Sequence, residues 1–265
     1  MSAGRETFGE EIIHIIPLGF EIDRATKPFT KYKANRVYLL SVVESNLYDK
    51  TMLQRQQHYL DIVTKELTDK SIEVIFKNTD TFILLEVMDK IAKIIKLETK
   101  QKNRVYVNMS AAGRLTSLGA TLAAMHHGAQ VYYVVADDYS RTEEETNTHG
   151  LSICNKLKIQ FIKNLKFLVP DEKSQKVLAE LCRKENGMKT NQIIDYLRKE
   201  KVEGFGEEFS KMQRSQKINY KMKLNKGILD KLENEGYITR ERIGKNNTIK
   251  ITESGKYIAH LSGLL

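Results

Sequence analysis

An apolar, β-branched run that ends in a small-residue turn and passes directly into a helix constrains this chain more than any other feature. Residues 105–114 read VYVNMSAAGR, and LTSLGATLAAMHHG follows at once. The strand closes at Asn108, the turn spans Ser110, Ala111, Ala112 and Gly113, and a helix starts at about Gly113. A strand that delivers the chain to a helix N-terminus is how an open α/β sheet builds an anion site. The unpaired N–H groups and the positive end of the helix dipole favour a phosphate or carboxylate there. Small residues in the turn let a ligand approach the backbone, and Arg114 adds a fixed charge with a planar donor fork.

Four further segments read as buried strands: Glu11–Ile16, Arg36–Val42, Ile72–Lys77 and Gln130–Ala136. With Arg104–Met109 they alternate with helical patterns near Ile22–Lys33, Lys50–Asp69, Thr81–Thr99 and Gly113–His127. Such alternation predicts βαβ units and a Rossmann-like, mostly parallel sheet covered on both faces. Ligands of such sheets sit outside the strands' carboxyl ends, where strand order reverses. Asp137–Thr148 reads as polar and turn-like, and Ile159–Val169 as one or two further strands. His14, inside an apolar strand, reads as a satisfied core histidine, and Asp137-Asp138 as turn formers and helix caps.

The pattern changes at Pro170-Asp171, so the expected domains are residues 1–170 and 171–265. Ser174–Lys184, Lys189–Lys199 and Gln213–Glu235 read as three helices, the last with Ile218, Met222, Leu229 and Leu232 at core spacing. Gly236 is placed to end it. Tyr237–Ile243 and Thr248–Thr252 flank Gly244-Lys245-Asn246-Asn247 as a β-hairpin. Three helices followed by a hairpin is the order of a winged helix-turn-helix. The apolar run Gly255–Leu265 is available for packing between subunits.

Charge separates the two halves. The chain carries a net +9, and residues 171–265 hold 20 Lys/Arg against 14 Asp/Glu. This density points to a polyanionic partner, with a solvated lysine-rich surface as the alternative. From Lys211 to Lys226 there are six basic residues and no acid. A recognition helix offers its front half to the major groove of double-stranded DNA. The candidate DNA contacts are therefore Arg214, Lys217, Asn219, Tyr220, Lys221 and Lys223, with Arg240, Arg242 and Lys245 on the hairpin. A protein-binding winged helix is the competing reading.

Catalytic signatures are sparse: the chain has no GxGxxG loop, P-loop, nucleophile elbow or HExxH. Two cysteines, Cys154 and Cys182, make no disulfide framework, so a reducing cytoplasmic setting is expected. No apolar run reaches membrane-span length, and neither a membrane partner nor a metal is expected.

The first strand ends in IIPLGFEIDR. If the first and fourth strands are neighbours, the loop Pro17–Phe20 and the turn Ser110–Arg114 face one pocket. The pairing of PLGF…DR with NMSAAGR resembles the CARF domain, the CRISPR-associated Rossmann fold. With the winged helix it is similar to archaeal CARF–winged-helix transcription regulators. The resemblance implies a homodimer that binds a cyclic oligoadenylate and alters DNA binding in response. Gly19, Phe20 and Arg24 would line the ligand from one side, and Asn108, Ser110, Ala111, Ala112, Gly113 and Arg114 from the other. It also raises two alternatives: a ring nuclease that uses Ser110 and Arg114, or a regulator that senses another anionic small molecule.

Overall fold

Ile- and Val-rich runs pair side by side because both their faces are apolar, and a parallel sheet buries both. The computed structural model describes residues 10–184, 186–243 and 246–265, with the backbone alone at residues 242, 243, 246 and 247. The chain divides into two compact units between Phe167 and Leu168.

In the first unit the strands are β1 (Ile12–Pro17), β2 (Arg36–Ser41), β3 (Glu73–Asn78), β4 (Arg104–Asn108) and β5 (Gln130–Val135). A further strand, Lys158–Ile162, closes one edge antiparallel to β5. The order is β3-β2-β1-β4-β5 and then this edge strand, so β3, expected to be buried, forms the opposite edge and is largely exposed. β1 pairs in parallel with both β2 and β4, so the chain winds outward through β2 and β3 and returns on the other side of β1. The reversal lies between β1 and β4, as the pocket argument requires.

The helices here are α1 (Asp23–Thr26), α2 (Lys50–Asp69), α3 (Leu84–Lys100) and α4 (Arg114–His126). α2 covers one face with Tyr59, Leu60, Val63 and Leu67. α3 and α4 pack together at Gly119, where a Cβ would stand 2.8 Å from a Leu84 methyl. The helix expected over Ile22–Lys33 is shorter: α1 gives way to a 3₁₀ turn at Lys27–Thr30. Pro28 in that turn has no N–H to continue an α-helical ladder.

The segment read as turn-like, Asp137–Thr148, is more ordered than expected. It forms strand β6 (Asp138–Tyr139), helix α5 (Glu143–His149) and strand β7 (Ser152–Ile153), which pairs with β6; the edge strand Lys158–Ile162 is β8. Thr142 and Glu145 make a reciprocal capping box at the start of α5. The T-x-x-E spacing carries that signal in the sequence. Asp137 and Asp138, expected as turn formers and helix caps, instead fix this arm's main chain: Asp137 accepts from the Lys156 N–H across 19 positions, and Asp138, in β6, from the Tyr139 N–H. Gly150 has φ +80°, and a Cβ there would lie 2.5 Å from the Ile22 nitrogen, so glycine lets this arm dock on the loop after β1.

In the second unit α6 (Glu172–Arg183) is capped by Asp171, and α7 is Thr190–Lys199. α8 (Arg214–Leu224) runs through a π turn at Asn225–Leu229 into α9 (Asp230–Asn234). The core gathers Leu178, Leu181, Ile193, Ile194, Leu197, Leu224, Ile228, Leu229 and Leu232. Ile218 and Met222, expected in it, are 51% and 48% exposed. The π turn inserts an extra residue and rotates the helix before it, so a single 3.6-residue period cannot be carried across Gln213–Glu235.

The wing is three-stranded: β10 (Ile238–Ile243) pairs with β11 (Asn246–Ile251), and β11 also pairs with the short β9 (Met188–Lys189). The run after Gly255 forms α10 (Glu253–Leu261), which packs on α6 in its own domain, with Ala259 and Leu261 buried. Its apolar positions therefore serve the domain's core. Among the described residues, no helix is long and apolar enough to cross a membrane.

His14 is 5% exposed, stacks on Tyr106 and meets the Tyr132 hydroxyl at 3.1 Å through Nδ1. Burial pulls its pKa down to about 4 from an ordinary 6.5, against a smaller opposing hydrogen bond with the Lys33 main chain. The unfolded chain therefore takes up this proton near pH 6.5 and the folded chain only near pH 4, so stability is lost as pH falls between those values. The loss amounts to about 3 kcal/mol at the acid end. We expect the His14 imidazole NMR signals to stay those of the neutral ring down to about pH 4; titration near 6.5 would contradict the packing.

Candidate functional site

The turn after β4 is held by side chains directed inward. Asn108 is fully buried; its Oδ1 accepts from the Ser110 N–H at 2.8 Å and the Ser110 hydroxyl at 2.6 Å. Its Nδ2 donates to the Arg24 carbonyl at 2.8 Å. The Ser110 oxygen in turn accepts from the Val134 N–H at 3.0 Å. Gly19 N–H donates to the Ala111 carbonyl at 2.7 Å, which ties the two loops at the strand-order reversal to one another.

Arg24 is also buried. Its Nη1 donates to Glu21 and to the Ser110 carbonyl, each at 3.2 Å, while Nη2 donates to the Tyr133 hydroxyl at 3.0 Å. Glu21 further accepts from the Ser152 N–H and hydroxyl, which locks the α5 arm to the same post. Burial pushes the Glu21 carboxyl up, against its hydrogen bonds with Ser152 and the charge of Arg24. Asp23, likewise buried, accepts from the Cys154 N–H at 2.8 Å and faces His149 Nδ1 at 3.1 Å.

What remains open is the far side of the turn. Ala112 is half-buried, and Gly113 and Arg114 are exposed. Gly113 is the N-cap of α4 in an extended conformation and makes no side-chain cap bond, so the first N–H groups of a thirteen-residue helix face outward. Arg114 has no ion-pair partner among the described residues. Two clefts flank this turn, of about 340 and 480 Å3, and Ala112 and Arg114 line both. The first also takes in Gly19, Phe20 and Gln56, the second Arg24, Tyr133 and Tyr139. Their size is that of small-molecule sites.

Two contributors were not read from the sequence. Gln56 is 2% exposed, and its Oε1 has no hydrogen-bond partner, a buried acceptor on the cleft wall. A glutamine in the apolar stripe of α2, in line with Leu60, Val63 and Leu67, is the signal that could have found it. Arg55 lays its guanidinium over the Phe20 ring at 4.3 Å. So Phe20 carries a cation on one face.

In the second unit, Arg214, Asn219, Lys221 and Lys223 are exposed on α8. Lys217 turns inward and donates to the Ser210 carbonyl at 3.0 Å. Tyr220 packs edge-on against Phe205, at 5.9 Å between ring centroids. Lys221 and Lys223 lie 5.7 Å from the Phe209 and Phe205 rings respectively. Arg240 is engaged by Asp230 at 2.5 Å and Glu233 at 3.2 Å, which neutralises its charge within the domain. Arg242 is described in its backbone alone, and Lys245 lies outside the described residues.

The family described as HFX_2341_N:-like, N-terminal, matches residues 12–139, and the family described as DUF6293 C-terminal winged helix domain matches residues 173–263. The first match spans β1 to β6 of the α/β unit, and the second spans the winged helix. Among solved structures, Can2 from Sulfobacillus thermosulfidooxidans in complex with cyclic tetra-adenylate aligns with 94% of this chain and 62% of its own. Identity there is 12% and the TM-score 0.39. Enterococcus italicus Csm6 bound to cyclic hexa-2′-fluoro-hexa-dAMP aligns with 84% of this chain and 57% of its own, at 13% identity and a TM-score of 0.42. VC1899 from Vibrio cholerae aligns with 94% and 64%, at 13% identity and 0.37. The chain spans less than two thirds of the length of each. No curated protein sequence matches it.

The two arginines of the site carry different burdens. Arg24→Ala leaves the buried Glu21 carboxylate without its cation, and we expect a loss of about 3 kcal/mol in chemical denaturation of the α/β domain. Arg114→Ala, at an exposed and unpaired position, should stay within about 0.5 kcal/mol of the parent. Equal losses would contradict the assignment of one as a structural post and the other as a free cation.

Proposed function

We propose that the protein is a ligand-responsive, DNA-binding transcriptional regulator. Residues 1–170 form the sensor and residues 171–265 hold double-stranded DNA. The observation that carries the sensor half is the turn Ala112–Arg114. An uncapped helix N-terminus, an unpaired arginine and a buried unpaired glutamine acceptor converge there on clefts at the strand-order reversal. Dipole and guanidinium suit phosphate, and the glutamine and the Phe20 ring suit a base. A cyclic oligoadenylate has both chemistries, and it is the ligand implied by the PLGF…DR and NMSAAGR motifs. Such a ring is symmetric, and a homodimer would present two copies of the turn to it.

The DNA half rests on the acid-free run from Lys211 to Lys226, whose cations Arg214, Lys221, Lys223 and Lys226 are exposed on a winged helix. Sensing is preferred to ring cleavage because the Ser110 hydroxyl is committed to Asn108 and Val134 inside the sheet. It is not free to position a ribose hydroxyl for in-line attack.

A thermal-shift titration with cyclic tetra- and hexa-adenylate tests the sensor. One ring should stabilise the parent by ~2.7 kcal/mol at a hundredfold excess over its dissociation constant. Arg114→Ala should lose that shift while remaining folded. Absence of a shift with either ring would reject a cyclic oligoadenylate as the ligand.

A further inference from the structure

The outward side of α8 holds two apolar side chains that its own domain leaves half exposed. Ile218 and Met222 are 51% and 48% accessible, and Ser215 and Asn219 on the same face are exposed as well. Positions 215, 218, 219 and 222 recur at i, i+3, i+4 and i+7, so they make one stripe along the helix. Tyr220 and Leu224 lie on the opposite side and pack into the core. Cations border the stripe: Arg214 and Lys221 on one flank, Lys223 on the other and Lys226 at its far end, all exposed. No acid occurs between Lys211 and Lys226.

A narrow apolar stripe between two cationic rims calls for a surface with the matching profile. The major groove of DNA has it: phosphates along both edges, and on the floor the C5-methyl groups of thymine as its apolar points. We propose that Ile218 and Met222 read thymine methyl groups there. Asn219 beside them pairs with an adenine edge, its Oδ1 accepting from N6 and its Nδ2 donating to N7. The protein thus selects steps that bear A·T pairs, through Ile218, Asn219 and Met222. Lys217 and Tyr220, on the inner side, set the pose of the helix without touching bases. This proposal rests on the DNA-binding reading above.

The test selects duplexes from a random-sequence pool with the full-length protein. Thymidine in the selected duplex is then replaced by deoxyuridine, which removes the methyl group and keeps the base pairing. Wild-type affinity should fall by about three- to ten-fold, less than the cost of losing a bidentate base pair contact. The double variant Ile218→Ser/Met222→Ser, changed only at exposed positions, should bind both duplexes equally. Equal wild-type affinity for the two duplexes, or enrichment without A·T positions, would overturn methyl reading while leaving DNA binding in place. Failure to retain any duplex at low salt would overturn the DNA-binding reading itself.

Discussion

Everything at the candidate site follows from β1 having a parallel partner on each side. Because the winding reverses there, no crossover covers the carboxyl ends of β1 and β4, and their loops stand open beside one another. Asn108 turns that opening into a defined surface. Its buried amide ties the β4 turn to itself through Ser110 and to α1 through the Arg24 carbonyl. Three polar groups are satisfied by one side chain, so the turn is held without using the N–H groups at the start of α4. Those groups receive no side-chain cap.

The same economy separates holding from binding among the charged residues. Arg24 commits its two terminal guanidinium nitrogens to Glu21, Ser110 and Tyr133, and Glu21 fixes the α5 arm through Ser152. A buried cation and carboxylate of this kind stabilise a geometry chiefly because either one alone would be costly. Arg114, exposed at the head of a helix, has no such duty. Its charge adds to the dipole of α4, in a setting where an anion loses little hydration on arrival. In the winged helix the division recurs: Lys217 and Arg240 are engaged by oxygen partners within the domain, while Arg214, Lys221, Lys223 and Lys226 are exposed, with Lys221 and Lys223 lying over the Phe209 and Phe205 rings.

Much of this was legible in the sequence, and the failures have identifiable causes. The strands and the helices at Lys50–Asp69 and Arg114–His126 follow from runs whose periodicity local packing obeys. The neighbouring of β1 and β4 was conditional in the sequence and is direct in the sheet. Ile218 and Met222 were assigned to the core by extending one helical period through the π turn at Asn225–Leu229, a rotation that no residue type announces. The small β9 strand is too short to leave a pattern, and it exists because β11 offers it an edge. For the ligand site, the sequence supplied the turn and could not say which way side chains face. Asn108 points into the protein, Ser110 and Ala111 are buried and still line the clefts, and Gln56 and Arg55 reach the site from a helix distant in sequence.

The central claim is that the two domains report to each other, and linkage requires a ligand bound at one to change affinity at the other. Fluorescence anisotropy of a labelled duplex selected by the protein, titrated at fixed salt with and without saturating cyclic tetra-adenylate, measures this directly. The account predicts a change of about five-fold or more in DNA affinity for the parent protein and none for Arg114→Ala. Identical curves with and without a ring that demonstrably binds would contradict it, and would leave two domains that share a chain without sharing a function.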